Sequence, residues 1–164
     1  MVEVISGGET HIPVIIDIAE KTWEKTYKTI LSGEQMRYML DAMYSAESLQ
    51  KVMREGLQRF IILKDNHAAQ GFASFGLRAG DASTIKIHKL YVLPEKQGKG
   101  YGRMLIEDVK NRYIELGVTA LELNVNRHNP ARYFYEKLGF DIIREEDIPI
   151  GPYWMNDYVM RLAF

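Results

Sequence analysis

The chain has 164 residues, 46% of them hydrophobic, which suits one domain over residues 1–164 with a sizeable core. Its 21 basic and 22 acidic side chains leave a formal charge of −1, so no global field draws it to nucleic acid or to an anionic membrane. The absence of cysteine excludes disulfides, a cysteine–zinc centre and a covalent acyl-cysteine intermediate, and no metal site is expected. The start, Met1-Val2-Glu3-Val4-Ile5, has neither a basic nor an apolar leader region, and no run approaches the roughly 18 apolar residues of a membrane span. A cytoplasmic protein without a membrane partner is the expectation.

In chain order, residues 2–6 suit a short strand. Thr10 then reads as the cap of a helix whose inward stripe is Ile12, Ile15, Ile16, Ala19 and Trp23, continued by Tyr27 and Ile30. Ser32 with Gln35 three residues on fits a capping box, opening a second helix through Met36, Met39 and Leu40. Ser45 caps a third, carrying Leu49, Val52 and Met53 and ending at Gly56. From Arg59 the pattern turns to strands, over 60–64 and 71–77, joined as a hairpin, then over 84–93. Further strands are expected over 119–125, 140–143 and 158–162.

Between the strand over 84–93 and a helix marked by Met104, Leu105, Val109 and Tyr113 lies Gln97-Gly98-Lys99-Gly100-Tyr101-Gly102. A helix start offers unpaired N–H groups and the positive end of the dipole, and glycines let a ligand approach the backbone. The stretch therefore reads as an anion cradle suited to a phosphate or pyrophosphate. The P-loop spacing fails here, and the dinucleotide fingerprint fails because Arg103 stands where its third glycine belongs. About thirty residues on comes Asn129-Pro130-Ala131-Arg132-Tyr133-Phe134-Tyr135-Glu136-Lys137-Leu138-Gly139-Phe140. Asn129 reads as an N-cap with Pro130 at the first helical position, and Gly139 ends a helix of little more than two turns.

These two blocks together resemble the coenzyme A loop and the second signature of the GCN5-related N-acetyltransferase (GNAT) family. The resemblance implies an α/β fold with three α-β-α layers on a central mixed, splayed sheet. It implies acetyl-CoA as co-substrate, entering where the fourth and fifth strands part, and direct attack by an amine in a ternary complex. Tyr91, Val92 and Leu93 would line the cofactor, and the N–H groups of Gly98 through Gly102, including Tyr101, would meet the pyrophosphate. Gln97 and Lys99 would assist by side chain, Asn129 would meet the pantetheine arm, and Lys137 would reach the 3′-phosphate. In many relatives the asparagine stands one position earlier, where this chain has His128.

Acyl transfer needs a neutral amine, donors for the oxyanion and a proton for the leaving thiolate. By the resemblance, Tyr135 supplies that proton, the strand before the glycine loop bulges, and a main-chain N–H at Val92 polarises the carbonyl. His88, with a reference pKa near neutrality, or Glu122 on the next strand is the candidate base, acting directly or through water. Strict alternation would put His88 and Leu90 on one face and Lys89 and Tyr91 on the other. Segments around Trp23, Tyr27 and Tyr38 and the tail over 150–160 resemble the PaiA-type polyamine N-acetyltransferases. They imply a small-molecule amine acceptor, most simply a polyamine, with Trp23, Tyr27 and Tyr38 in its groove. A peptide or protein amine is the alternative acceptor, and a non-catalytic acetyl-CoA sensor the alternative class. Either a monomer or a homodimer fits the sequence.

Overall fold

A computed structural model describes residues 1–164. The chain runs β1 (Val2–Gly7), α1 (Ile12–Tyr27), α2 (Gly33–Tyr44), α3 (Ala46–Arg54), β2 (Arg59–Asp65), β3 (Ala68–Arg78) and β4 (Asp81–Val92). It continues through α4 (Tyr101–Tyr113), β5 (Ala120–Asn126), α5 (Ala131–Lys137), β6 (Asp141–Ile150) and β7 (Tyr153–Ala163). No helix is long and apolar enough to cross a membrane.

Of the four expected caps, those at Ser32 and Ser45 form as read, whereas α5 takes Pro130 as its N-cap, one residue past the expected Asn129. Ser32 Oγ accepts from Gln35 N at 3.1 Å and Ser45 Oγ from Ser48 N at 3.2 Å, each answering an N–H without an intrahelical partner. The box at Ser32 is not reciprocal, because the Gln35 amide instead donates to Trp154 O at 2.9 Å and ties α2 to β7. Thr10 caps nothing. It lies inside a 3-10 turn over Glu9–His11, where Gly8 N–H donates to His11 Nδ1 at 3.0 Å, and α1 begins behind that turn. The inward stripe of α1 accordingly takes Ile18 where Ile16 was expected.

One sheet of seven strands takes the order β1-β2-β3-β4-β5-β7-β6, and only β4 with β5 is parallel. The first core lies between the sheet and α4–α5, around Phe75, Ile85, Leu105, Val109, Leu121 and Phe140. The second lies between the sheet and α1–α3, around Ile15, Trp23, Met39, Leu49, Phe60 and Phe72. Each such fully buried large side chain contributes about 1.5–3 kcal/mol, so these two layers fix the helices on opposite faces. The three-layer arrangement and mixed sheet are those the resemblance implied. β6, at the edge, carries Arg144, Glu145, Glu146 and Asp147 and the donor-less Pro149, which blunt edge-to-edge pairing.

Two features depart from the expected strands. The last two strands are far longer than 140–143 and 158–162, closing at a tight turn through Gly151 and Pro152. In β4 the register with β3 slips: Ser74 pairs Lys89 but Phe75 pairs Ile87, which makes His88 the extra residue of a β-bulge. The bulge resets the alternation. Ile85, Ile87, Leu90 and Val92 all pack toward α4–α5, whereas Tyr91 and Leu93 pack toward α1–α3. Lys89, beside Phe60 and Tyr44, joins the latter face, and His88 Nε2 lies 3.9 Å from where a Cβ on Gly76 would stand. His88 and Lys89 thus share a face that strict alternation had divided between them.

Candidate active site

β4 and β5 pair only over Thr84–Ile87 and Ala120–Leu123, then part. The gap opens a cleft of about 580 Å³, lined by Ile87 to Val92 on one strand and Leu123 to Val125 on the other. Its far rim is Gln97, Gly98, Gly100, Tyr101 and Gly102; its near rim is Asn129, Ala131, Phe134 and Tyr135. Both sequence blocks therefore meet at one opening.

The glycines serve different needs. Gly98 and Gly100 adopt φ of +85° and +83°, left-handed conformations that disfavour a side chain although open space surrounds each. Gly102 has an ordinary conformation, but a Cβ there would stand 3.0 Å from Phe134 Cζ, so its lack of a side chain lets α4 approach α5. Gly100 precedes α4 and offers no side-chain cap, leaving the first-turn N–H groups and the dipole's positive end facing the cleft. This is a suitable cradle for a pyrophosphate. The Gln97 amide folds back to Val92 O at 3.2 Å and braces the loop, and Tyr101 is pinned by its hydroxyl to Asp65. Lys96, rather than the expected Lys99, lines the opening.

Leu93 N–H donates to Gln70 O at 2.9 Å, toward β3. Successive strand residues point their N–H groups to opposite sides, so the Val92 N–H faces the side from which β5 has departed. Tyr135, on α5, is buried between Phe134 and Phe140, with ring centroids at 5.2 Å and 5.7 Å. Burial, with the Tyr91 phenol nearby, pushes its hydroxyl above the ordinary tyrosine range, so it carries its proton throughout the neutral range. Asn129 accepts from Ala131 N at 2.9 Å, starting α5, and donates to Tyr27 Oη at 3.4 Å. Lys137, in the last turn of α5, is exposed and outside the cleft lining.

The base candidates separate. His88 lines the cleft, but desolvation against the strand, with the Lys89 and Lys86 ammonium groups beside it, lowers it to about 4. Glu122 is not brought to the cleft. It is buried on β5 among Arg78 at 2.9 Å, Arg161 at 3.6 Å and Arg144 at 4.0 Å, a structural ion cluster on the sheet face.

Beyond the bulge lies an aromatic floor. Trp23 is buried, stacks obliquely on Tyr27 with centroids 4.5 Å apart, and donates Nε1–H to Tyr91 Oη at 3.1 Å; it supports the floor from behind. Tyr27 and Tyr91 line the cleft, and burial raises both phenols above their ordinary range. Tyr38 stands apart on α2, packed edge-on to Tyr153 at 5.5 Å, where it closes the β6–β7 turn. Of the three expected groove aromatics, then, only Tyr27 faces the opening.

Two residues were missed by the sequence reading. Asn124 lines the cleft and links Lys86, through Oδ1, to Asp157 Oδ2 at 3.2 Å through Nδ2. Lys89 is buried, bonds Gln58 Oε1 at 2.8 Å, and is lowered by burial to about 8. Nothing local marks either asparagine or lysine; only the strand register and the bulge bring them to this face.

Comparison with known proteins extends this picture. A family profile for the acetyltransferase (GNAT) domain matches residues 27–151. The chain is 26% identical over 133 residues to spermidine N(1)-acetyltransferase of Thermoplasma acidophilum, covering 80% of this chain and 83% of that protein. It is 35% identical over 86 residues to the [ribosomal protein bS18]-alanine N-acetyltransferase of Haemophilus influenzae, covering 51% and 57%. Its fold matches the crystal structure of PaiA N-acetyltransferase from Thermoplasma acidophilum in complex with coenzyme A, with a TM-score of 0.84 at 22% identity over 100% and 99% of the two chains. With the profile spanning most of its length, the chain belongs to the acetyltransferase (GNAT) domain family, the acetyl-CoA-dependent N-acetyltransferases.

Proposed function

We propose that this chain moves an acetyl group from acetyl-CoA to the primary amine of a small cationic acceptor, a polyamine first, by direct attack while both are bound. The observation that carries the reading is the single cleft between β4 and β5, which holds the anion cradle at one rim and a protonated phenol at the other. The pyrophosphate would rest on the N–H groups of Gly98 to Gly102, with Gln97 bracing the loop and Lys96 adding charge. Tyr91 and Val92 would flank the pantetheine arm, with Asn129 opposite; Leu93, Lys99 and Lys137, expected at the cofactor, lie outside the cleft lining. The Val92 N–H would polarise the thioester oxygen, and Tyr135 would give its proton to the departing sulfur.

The acceptor would enter over Tyr27, with Trp23 and Tyr38 shaping the wall rather than touching it. His88, neutral at working pH, can order a water in this path, although a group at about 4 holds an amine's proton weakly. The similarity to a spermidine acetyltransferase over most of both chains favours a polyamine. Similarity to a ribosomal-protein alanine acetyltransferase over half the chain keeps a peptide N-terminus as the second reading.

Thiol release from acetyl-CoA, measured against spermidine, spermine, putrescine and short peptides with free N-termini, tests the choice. Turnover with polyamines and intersecting initial-rate patterns are expected. Turnover with peptides alone would replace the acceptor, and cofactor binding with no turnover for any amine would favour a sensor.

A further inference from the structure

Asp157, on β7, stands on the sheet face that carries the acceptor side of the cleft, and it is only 5% exposed. A carboxylate so buried ordinarily meets an ammonium or guanidinium group. This one does not. Its Oδ2 accepts from Asn124 Nδ2 at 3.2 Å, and its Oδ1 accepts from no group of the chain. Arg127 reaches only the Asp157 main-chain oxygen, at 3.2 Å through Nε, while its outer nitrogen pairs with Asp147 at 2.8 Å and Glu145 at 3.8 Å.

The surroundings carry the same sign. From β6, Glu146 sits opposite Asp157 in register, 3.5 Å from the same Asn124 amide nitrogen, and pairs with Arg144 at 3.4 Å. From β4, Lys86 is tied to Asn124 Oδ1, on the far side of that amide. From α1 and β4, the phenols of Tyr27 and Tyr91 lie within electrostatic reach and stay protonated. Asn126, the cross-strand partner of Asp157 on β5, is neutral and turned to Met155 Sδ at 3.1 Å and to the His128 N–H at 2.9 Å. Asp157 itself lies behind the cleft lining, bonded by Asn124, which does line it, and within electrostatic reach of the lining phenols of Tyr27 and Tyr91; a buried carboxylate without a cationic partner in that place has the chemistry of an ammonium receptor.

We infer that Asp157, reached through Asn124, binds the acceptor's ammonium group and takes its proton, so that the free amine attacks the thioester; this rests on the acetyl-transfer reading above. The alkylammonium gives one proton to the Asp157 carboxylate, and that proton leaves to solvent through the cleft. The amine nitrogen bonds the acetyl carbon as the carbon–sulfur bond breaks, and its second proton balances the one Tyr135 delivers to sulfur. Burial, with Glu146 adding to it, holds the Asp157 carboxyl above the ordinary carboxylate range, the direction that suits a proton acceptor.

The test compares Asp157→Asn with the unaltered chain on two acceptors, putrescine and trifluoroethylamine, the latter uncharged at neutral pH. For putrescine, kcat/KM should fall roughly 10²-fold or more, with the deficit narrowing as pH rises and the diamine sheds its own proton. For trifluoroethylamine the change should stay within about 3-fold, and acetyl-CoA should bind unchanged. Equal losses on both amines, or no loss on putrescine, would overturn the assignment. Calorimetry with putrescine alone separates the two layers of the argument. If neither amine is acetylated but putrescine binding disappears in Asp157→Asn, the cation site stands and the acetyl-transfer reading falls. Putrescine binding that survives the substitution overturns the site itself.

Discussion

The ammonium of Lys89 lies among Gln58 and the rings of Tyr44 and Phe60, 5.4 Å and 5.9 Å from their centroids, with no carboxylate beside it. Burial lowers its pKa from 10.5 to about 8, a preference for the neutral form worth about 3 kcal/mol. The folded state therefore binds the proton more weakly than the unfolded chain, and the penalty is complete below about pH 8. Lys89→Met should be more stable than the unaltered chain at pH 7, with the gap closing as pH rises from about 8 toward 10.5; urea melts across that range check it. Asp157 has the opposite sign of charge and the same logic. Its folded pKa is raised, so ionisation costs stability at neutral pH and nothing once pH falls below the ordinary carboxylate range. Asp157→Asn should melt higher than the unaltered chain at pH 7 and converge with it in acid, a stability gain alongside the loss of activity argued above. The burial of neither residue is legible in the sequence, because burial of a single charge depends on what other strands bring over it.

At the scale of elements, the glycine loop and the turn into α5 were legible because their signals are local. Gly98 and Gly100 meet a conformational need, and Asn129 answers the Ala131 N–H just before α5, each within a few residues of itself. Gly98→Ala or Gly100→Ala should therefore cost about 1–2 kcal/mol of stability without any clash and should loosen acetyl-CoA; thermal melts with calorimetric titration check both. A bulge in this strand was implied by the family resemblance alone; its place at His88 was not legible in the residues, since it exists only as a mismatch between β3 and β4. It overturned the assumed alternation and moved His88 and Lys89 to one face. The extent of β6 and β7 escaped for a similar reason: a charged edge strand has no continuous apolar run to betray it. That hairpin does carry a local anchor. Gly151, at φ +57°, lies so close to the Tyr38 ring that any Cβ would collide with it, and Gln35 fastens α2 to the Trp154 carbonyl. Gly151→Ala should force α2 and the turn apart, lowering the melting temperature and raising KM for the amine while leaving acetyl-CoA affinity unchanged; a loosened cofactor instead would mean the hairpin acts on the whole cleft.

Across the whole molecule, one sheet does two tasks. Its antiparallel strands β1 to β4 bind α1, which carries both Trp23 and Tyr27, and its single parallel contact, four residues long, lets β4 and β5 separate. That separation frees the Val92 N–H, seats the start of α4 at one rim and places Tyr135 at the other. The layered mixed fold and the cofactor rim could be read from the chain's two motifs. The acceptor side could not, because Asn124, Asp157, Lys86 and Glu146 are gathered from β5, β7, β4 and β6. The central claim is that Tyr135 protonates the leaving thiolate of a cofactor held in this cleft. The direct measurement is thiol release by Tyr135→Phe at saturating acetyl-CoA and spermidine, beside the Kd for acetyl-CoA by calorimetry. The account predicts kcat lower by roughly 10²–10⁴-fold with acetyl-CoA affinity nearly unchanged. An unchanged kcat, or a loss explained by weakened cofactor binding, would contradict it.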